Sequence, residues 1–299
     1  MSDSAGGTPA PSPLKKKSNK KWLIVGVAVV IVVALIATAV LGGFIGGSSS
    51  EKYGLEKIKS QGKIIMWTEA SFSPFESYDP ANTTIYGFDI DLAHRITENV
   101  SAELGMNIEL QVEDRVFANI PAAISNNQID MSLSGMTITE ERNKTVLFSN
   151  PYYRAEAGYG LLTLSTTNDI TSLDDILNNG KKIVVNTGTT SESWVQANLI
   201  DTGKISADKV KSLPTIANCV QDVKSGYSDV FIIDNPTVND VVTKSGGDLK
   251  NAGLIALPDE PYGVAMNQKS TDLKVIVDRV IEEMMANGEM AALRAKWGL

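Results

Sequence analysis

Histidine and cysteine are almost missing from this chain: His94 and Cys219 are the single copies among 299 residues. One cysteine excludes an intramolecular disulfide and any cysteine-based zinc site. One histidine leaves neither a Ser-His-Asp set nor a metal cluster to assemble. His94 itself follows Leu92 and Ala93 in an apolar-periodic stretch and reads as a helix-surface residue. No catalytic residue, metal or cofactor is therefore expected, and no internal repeat is visible.

Charge is missing from one long stretch. Residues 22–45 form a run of 24 without a single Asp, Glu, Lys or Arg, about 36 Å if helical and long enough to span a bilayer. Lys15, Lys16, Lys17, Lys20 and Lys21 precede it, and Asp3 is the only acid in the first 50 residues. The positive-inside tendency puts residues 1–21 in the cytoplasm as a basic tail and the rest of the chain outside. A cleaved signal peptide competes with this reading, since Ala37-Thr38-Ala39 resembles a cleavage site. The run exceeds the usual apolar core of a signal peptide, which favours a retained single-pass membrane helix. No cysteine follows it to carry a lipid, so the helix itself is the expected anchor. Residues 46–54, rich in Gly and Ser, read as a flexible linker.

Beyond residue 50 there are 22 basic and 34 acidic side chains, a net charge of −12. Such a surface argues against nucleic-acid binding. The apolar content of 43% suffices for one large domain or two modest lobes with real cores. Phe88, Leu92, Ile96, Val100 and Leu104 recur every four residues and predict a helix that Gly105 ends. Ile108, Leu110 and Val112 switch to period two, as do Ile129, Met131 and Leu133. Further apolar runs at residues 64–67, 183–185 and 230–233 predict strands, and residues 273–297 predict one helical run. Alternation of this kind predicts α/β layers with largely parallel sheets.

Ligands of such sheets bind beyond the carboxyl ends of the strands. Four strand ends carry TEASFSPFES, SGMTITEER, NTGTTSES and Asp234. Arg142 can grip a carboxylate through two parallel N–H bonds, with Thr137 adding a hydroxyl. Gly188, Thr189 and Thr190 read as a helix start, where free N–H groups favour an anion. Asp234 would meet a cation, and Phe72 could cover an apolar face. A small molecule with both charges on adjacent atoms is an amino acid. Each feature also has an ordinary reading: Thr137 to Glu140 as a helix cap, Arg142 as a solvated charge, Thr189 as a cap, Asp234 as a turn start, and Phe72 as core.

The blocks PFES, YGFDIDLA, IDMSLSGMTITEER, FSNPYY, VVNTGTT, DVFIID and YGVAMN occur in this order. Over about residues 55–299 the chain resembles the polar amino-acid solute-binding proteins of ABC importers, with the type II periplasmic-binding-protein fold. The resemblance implies two α/β lobes, residues 55–156 plus 261–299 and residues 157–260, joined by two hinge crossings and closing over the ligand. It implies that Gly135 offers a carbonyl to the α-ammonium, that Thr137, Arg142 and Thr190 hold the α-carboxylate, that Asp234 takes the α-ammonium, and that Phe72 packs on the ligand. Glu69 and Asn186 fall where relatives vary with the ligand side chain, and Phe117 falls near another such position. A membrane helix stands where Gram-positive relatives typically carry a lipid-bearing cysteine.

The expected function is extracytoplasmic capture of a polar amino acid and its delivery to an ABC permease, by a monomer held at the cell membrane. Two alternatives use the same fold. A prephenate or arogenate dehydratase would need a tuned general acid, for which Glu69 is the only candidate. A sensory ectodomain would need a signalling domain, and 21 residues before the membrane helix are too few for one.

Overall fold

The computed structural model describes residues 51–79, 81, 83–155, 158–258 and 260–299. The expected membrane helix at residues 22–45 lies outside the described residues. Among those described, no helix is long and apolar enough to cross a membrane.

From the start of the described chain the order is α1 (Gly54–Gln61), β1 (Lys63–Thr68), β2 (Ser77–Asp79), β3 (Thr84–Tyr86), α2 (Phe88–Leu104), β4 (Glu109–Asp114), α3 (Ile120–Ser125), β5 (Met131–Ser132), α4 (Glu140–Asn143), β6 (Leu147–Phe148) and β7 (Tyr153–Ala155). Then come β8 (Tyr159–Leu164), α5 (Leu173–Asn178), β9 (Ile183–Asn186), α6 (Thr190–Val195), β10 (Val210–Leu213), α7 (Ile216–Lys224), β11 (Val230–Asp234), α8 (Asn235–Lys244) and β12 (Leu249–Ile255). The chain ends with β13 (Glu260–Tyr262), β14 (Ala265–Met266), α9 (Thr271–Asn287) and α10 (Glu289–Trp297).

These strands make two five-stranded sheets, ordered β4-β1-β5-β14-β6 and β10-β9-β11-β8-β12. Between them β7 and β13 pair antiparallel, Tyr153 against Tyr262. The sheets are mixed rather than largely parallel. β1 runs parallel to β4 and β5, and β9 to β10 and β11, but β14 and β8 each pair antiparallel with their neighbours. The reason is topological: β8 and β14 are the strands entered directly after the β7 and β13 segments, without a helical crossover to restore the parallel direction.

Periodicity explains most of the layers. β9 and β11 are buried along their whole length, so their continuous apolar runs leave no polar face. The four-residue stripe of α2 is buried at Phe88, Leu92, Ile96 and Val100, and Gly105 ends the helix in the left-handed region. Two expectations change. The stretch around Ile129 and Leu133 contributes only Met131 and Ser132 as paired strand, although both flanking side chains are buried. The run over residues 273–297 is two helices, because Gly288 at φ 87° interrupts it with a conformation that few residues other than glycine adopt.

Candidate functional site

The ends of β1, β5, β9 and β11 converge on one cleft of about 320 Å³ of atom-free space. Glu69, Phe72, Phe117, Gly135, Thr137, Arg142, Asn186, Thr189, Thr190 and Asp234 all line it, and Ser134, Ile216 and Ile233 complete its wall. These ten residues expected from the sequence to contact the ligand therefore share one cavity, whereas Gly188, grouped with Thr189 and Thr190, does not line it. The first six belong to the side of the β1 sheet and the next four to the side of the β9 sheet.

The loop after β5 is fixed from beneath by buried acids. The Gly135 N–H donates to Asp89 Oδ2 at 2.9 Å, and the Tyr152 hydroxyl donates to the same oxygen at 2.8 Å. Ser134 Oγ donates to Glu76 Oε1 at 2.6 Å and accepts the Glu69 N–H at 3.1 Å. Burial raises the pKa of both Asp89 and Glu76, furthest for Glu76, which also faces the Asp89 charge. Gly135 sits at φ 50°, and a Cβ there would lie 2.0 Å from Phe72 Cε1. Only glycine lets the Phe72 ring lie against this turn, where it stacks on Phe75 at 5.2 Å between centroids.

Arg142 is held in place along the cleft edge. Thr139 caps α4, its hydroxyl accepting from the Arg142 N–H at 3.1 Å, so the ordinary cap reading of this segment is also true. The guanidinium donates to the Thr137 carbonyl at 2.9 Å and to the Gly188 carbonyl at 3.1 Å, and lies 5.2 Å above the Phe117 ring. Burial lowers its pKa, and the Glu260 and Asp234 charges oppose that shift.

The loop after β9 is built by local caps. Thr189 is the N-cap of α6: its hydroxyl donates to the Asn186 carbonyl at 2.7 Å and accepts the Glu192 N–H at 3.2 Å. Glu192 in turn accepts the Gly188 N–H at 2.6 Å, close to a capping box. The Asn186 amide donates to the Leu213 carbonyl at 3.2 Å. Asp234, 8% exposed at the end of β11, has its pKa pushed up to about 8 by burial and then by the Glu260 carboxylate.

At the far end Glu69, 2% exposed, spans the cleft. Its Oε1 accepts the Ile216 N–H at 2.7 Å and the Ser71 hydroxyl at 3.1 Å, and its Oε2 accepts the Phe117 N–H at 3.3 Å. Burial raises its pKa to about 7 against these bonds. His94 is exposed on α2, away from the cleft. Sequence reasoning missed Tyr159, Ile216 and Glu260. Ser134, beside Gly135, was legible in the SGMTITEER strand end, whereas Glu260 has no strand-end signal and comes near the site only through the β7–β13 pairing.

A cleft between two α/β sheets linked by an antiparallel strand pair, with a cation on one rim and a buried acid on the other, defines a two-lobed binding protein of the periplasmic type. The sequence profile of the bacterial extracellular solute-binding proteins, family 3, matches residues 64–299, and the chain belongs to that family. It is 32% identical over 279 residues to the arginine-binding extracellular protein ArtP of Bacillus subtilis, covering 93% of this chain and 98% of that one. It is 26% identical over 265 residues to the L-cystine-binding protein TcyJ of Escherichia coli, covering 88% and 92%. The crystal structure of AbpA from Streptococcus pneumoniae bound to L-arginine superposes with a TM-score of 0.70 at 31% identity, over 81% of this chain and 96% of that one. These relatives are binding proteins, and the function of this chain is solute binding rather than catalysis.

Proposed function

We propose that the cleft binds a free amino acid, with a cationic or amide side chain, and hands it to the permease of an ABC importer. The observation that carries this reading is the meeting of Arg142 and Asp234 in one cavity, contributed from the sides of different sheets, with the Asp234 charge near enough to act on Arg142. Arg142 retains N–H groups beyond its two carbonyl bonds for an α-carboxylate, and Asp234 suits an α-ammonium. Gly135 offers its carbonyl to the same ammonium, and Phe72 packs on the ligand. Asn186 and Phe117 face its side chain, with Glu69 at the far end, while Thr189 holds the α6 loop in shape.

Glu69 selects the side chain. A cation would draw its proton off and pair with the carboxylate, whereas an amide could bond the neutral acid. The site carries more acid than base, which favours the cation and agrees with the arginine named for two of the relatives. The segments 55–156 plus 261–299 and 157–260 move as two lobes about residues 153–158 and 261–263, and a ligand touching both favours closure. Residues 22–45 anchor the monomer in the membrane with the cleft outside, residues 1–21 in the cytoplasm and 46–54 as the tether.

A thermal-shift panel on the full-length chain in detergent, using the twenty amino acids plus ornithine and cystine, tests the reading. A ligand at 100 times its Kd adds about 2.7 kcal/mol, and arginine or ornithine is expected to give the largest shift. Silence across the whole panel would overturn the function. Extraction of the protein from membranes by salt alone would overturn the anchor.

A further inference from the structure

Beneath the cleft lies a pair of acids that the binding chemistry does not use. Two backbone bonds bring them together: the Phe88 N–H donates to the Pro74 carbonyl at 3.2 Å, and the Asp89 N–H to the Phe75 carbonyl at 2.9 Å. Gly87 permits that approach, since a Cβ there would lie 2.1 Å from the Phe75 oxygen. Glu76 and Asp89 are both 0% exposed, in a layer where the rings of Phe75, Phe88 and Tyr152 pack in series. Each acid spends one oxygen on the platform: Glu76 Oε1 accepts from Ser134, and Asp89 Oδ2 from Gly135 and Tyr152. The other two oxygens, Glu76 Oε2 and Asp89 Oδ1, have no bonded donor among the described residues. The buried Thr68 hydroxyl, close enough to favour the Glu76 charge, is left without a bonded partner too. Glu69 adds its charge to the repulsion on Glu76, and Arg294 of α10 donates to the Tyr152 carbonyl at 3.0 Å rather than to either acid. Two ionised carboxylates in such a layer would each forfeit solvation and repel the other. One proton removes both costs.

We propose that Glu76 and Asp89 form a site for a single proton, carried on Glu76 Oε2 and donated to Asp89 Oδ1, and that this proton fastens the platform under the cleft to α2. The donors decide which acid carries it. Asp89 receives two on one oxygen and stands in the first turn of α2, where the helix dipole favours a negative charge, whereas Glu76 receives one. The shifts agree in direction: Asp89 is raised by burial only to about 6, and Glu76 is raised further by burial and by the Asp89 charge. With the proton in place, one chain of bonds runs from the Glu69 N–H through Ser134, Glu76 and Asp89 to the Gly135 N–H. Both acids are positioning residues, and their proton does not depend on which ligand the cleft takes.

Infrared spectroscopy of the full-length chain, in a detergent without carbonyl groups and with no ligand added, reads the proton directly. At pH 7 a carboxylic-acid C=O band is expected that is lost in Glu76→Gln and in Asp89→Asn alike, since either amide places an N–H between the same two oxygens and leaves its partner ionised. Acid bands from Glu69 and Asp234, whose pKa burial also raises, remain in both variants. Chemical denaturation against pH gives a second reading. In the unfolded chain both acids ionise in the ordinary carboxylate range, so the folded protein holds one proton more than the unfolded chain at pH 7. That stabilisation is complete below the ordinary range and is lost as pH rises toward the folded Glu76 value, by up to tenfold per pH unit in the folding equilibrium. Between pH 6.5 and 8 the slope of Glu76→Gln should be shallower than that of the unaltered protein by up to this one proton. An acid band of unchanged intensity in either variant, or a slope in Glu76→Gln parallel to that of the unaltered protein, would overturn the proposal. Failure of both variants to fold would overturn it as well, because each amide offers the same donor in nearly the same volume. Silence across the ligand panel would bear only on the function of the cleft.

Discussion

The two loops that face each other across the cleft are held by different physics. The loop after β5 rests on a fully buried layer, Asp89, Glu76 and Tyr152, that grips the Gly135 N–H and the Ser134 hydroxyl from the protein interior. The loop after β9 is held by neighbours in sequence, Thr189 to Asn186 and Glu192 and Glu192 back to Gly188, and by the adjacent strand β10, whose Leu213 carbonyl accepts from Asn186 and Thr187. Buried donors that lose a partner forfeit their full desolvation cost, whereas a cap near the surface is replaced by water. The first loop is therefore a fixed platform, and the second a helix end that carries its own geometry wherever its lobe goes. A binding protein that closes over its ligand has use for both.

The largest contrast is expected at Arg142, the group that joins the loops by donating to Thr137 on one side and Gly188 on the other. Arg142→Ala should cost about 2–5 kcal/mol of binding, roughly 30-fold to several thousand-fold in Kd. Arg142→Lys should recover only part, since it lacks the planar fork. Titration with the best ligand of the panel decides this, and an Arg142→Ala affinity within threefold of the unaltered protein would remove the clamp. Next comes the platform. Asp89→Ala leaves the Gly135 N–H and the Tyr152 hydroxyl unpaired in the interior, about 1–3 kcal/mol each, so chemical denaturation should show a loss of about 2–6 kcal/mol even without ligand.

A smaller effect separates the loops by pH. Asp234, with its pKa pushed up to about 8, binds more protons in the folded protein than in the unfolded chain. Its contribution to stability is present below the ordinary carboxylate range and is lost as pH rises toward 8. Ligand affinity runs the opposite way: the α-ammonium favours ionised Asp234, so binding releases a proton and affinity rises between pH 6 and 8, by at most about tenfold per unit for one group. Calorimetry in two buffers of different ionisation enthalpy measures that proton directly, and proton uptake would contradict the assignment. Smallest of all is Thr189→Ala, which removes one cap at a cost of about 0.5–2 kcal/mol. It should lower the unfolding midpoint slightly and change affinity only a few-fold, whereas a loss rivalling Arg142→Ala would mean that the second loop is no more self-sufficient than the first.

Much of this was legible in the chain itself. The four-residue stripe of α2, the uninterrupted apolar runs of β9 and β11 and the punctuation at Gly105 follow from side-chain period and backbone sterics, which are local. The placement of nine lining residues at the ends of β1, β5, β9 and β11, with Phe117 after β4, was legible for a related reason, since strand ends in α/β layers converge on one edge. Tertiary structure decided the rest, because it turns on pairing between distant segments. The antiparallel entry of β8 and β14 depends on how the chain crosses at β7 and β13. Glu69 meets the Ile216 N–H, 147 residues away, only when the two sides face each other. Glu260 finds Thr137, 123 residues distant, because the strand that carries it lies against β7. The sequence by itself determined which strand-end side chains would face the cleft, for periodicity and turn chemistry are properties of neighbours; the tertiary structure alone decided which distant groups they bond, for a hydrogen bond is fixed by what folding brings within about 3 Å.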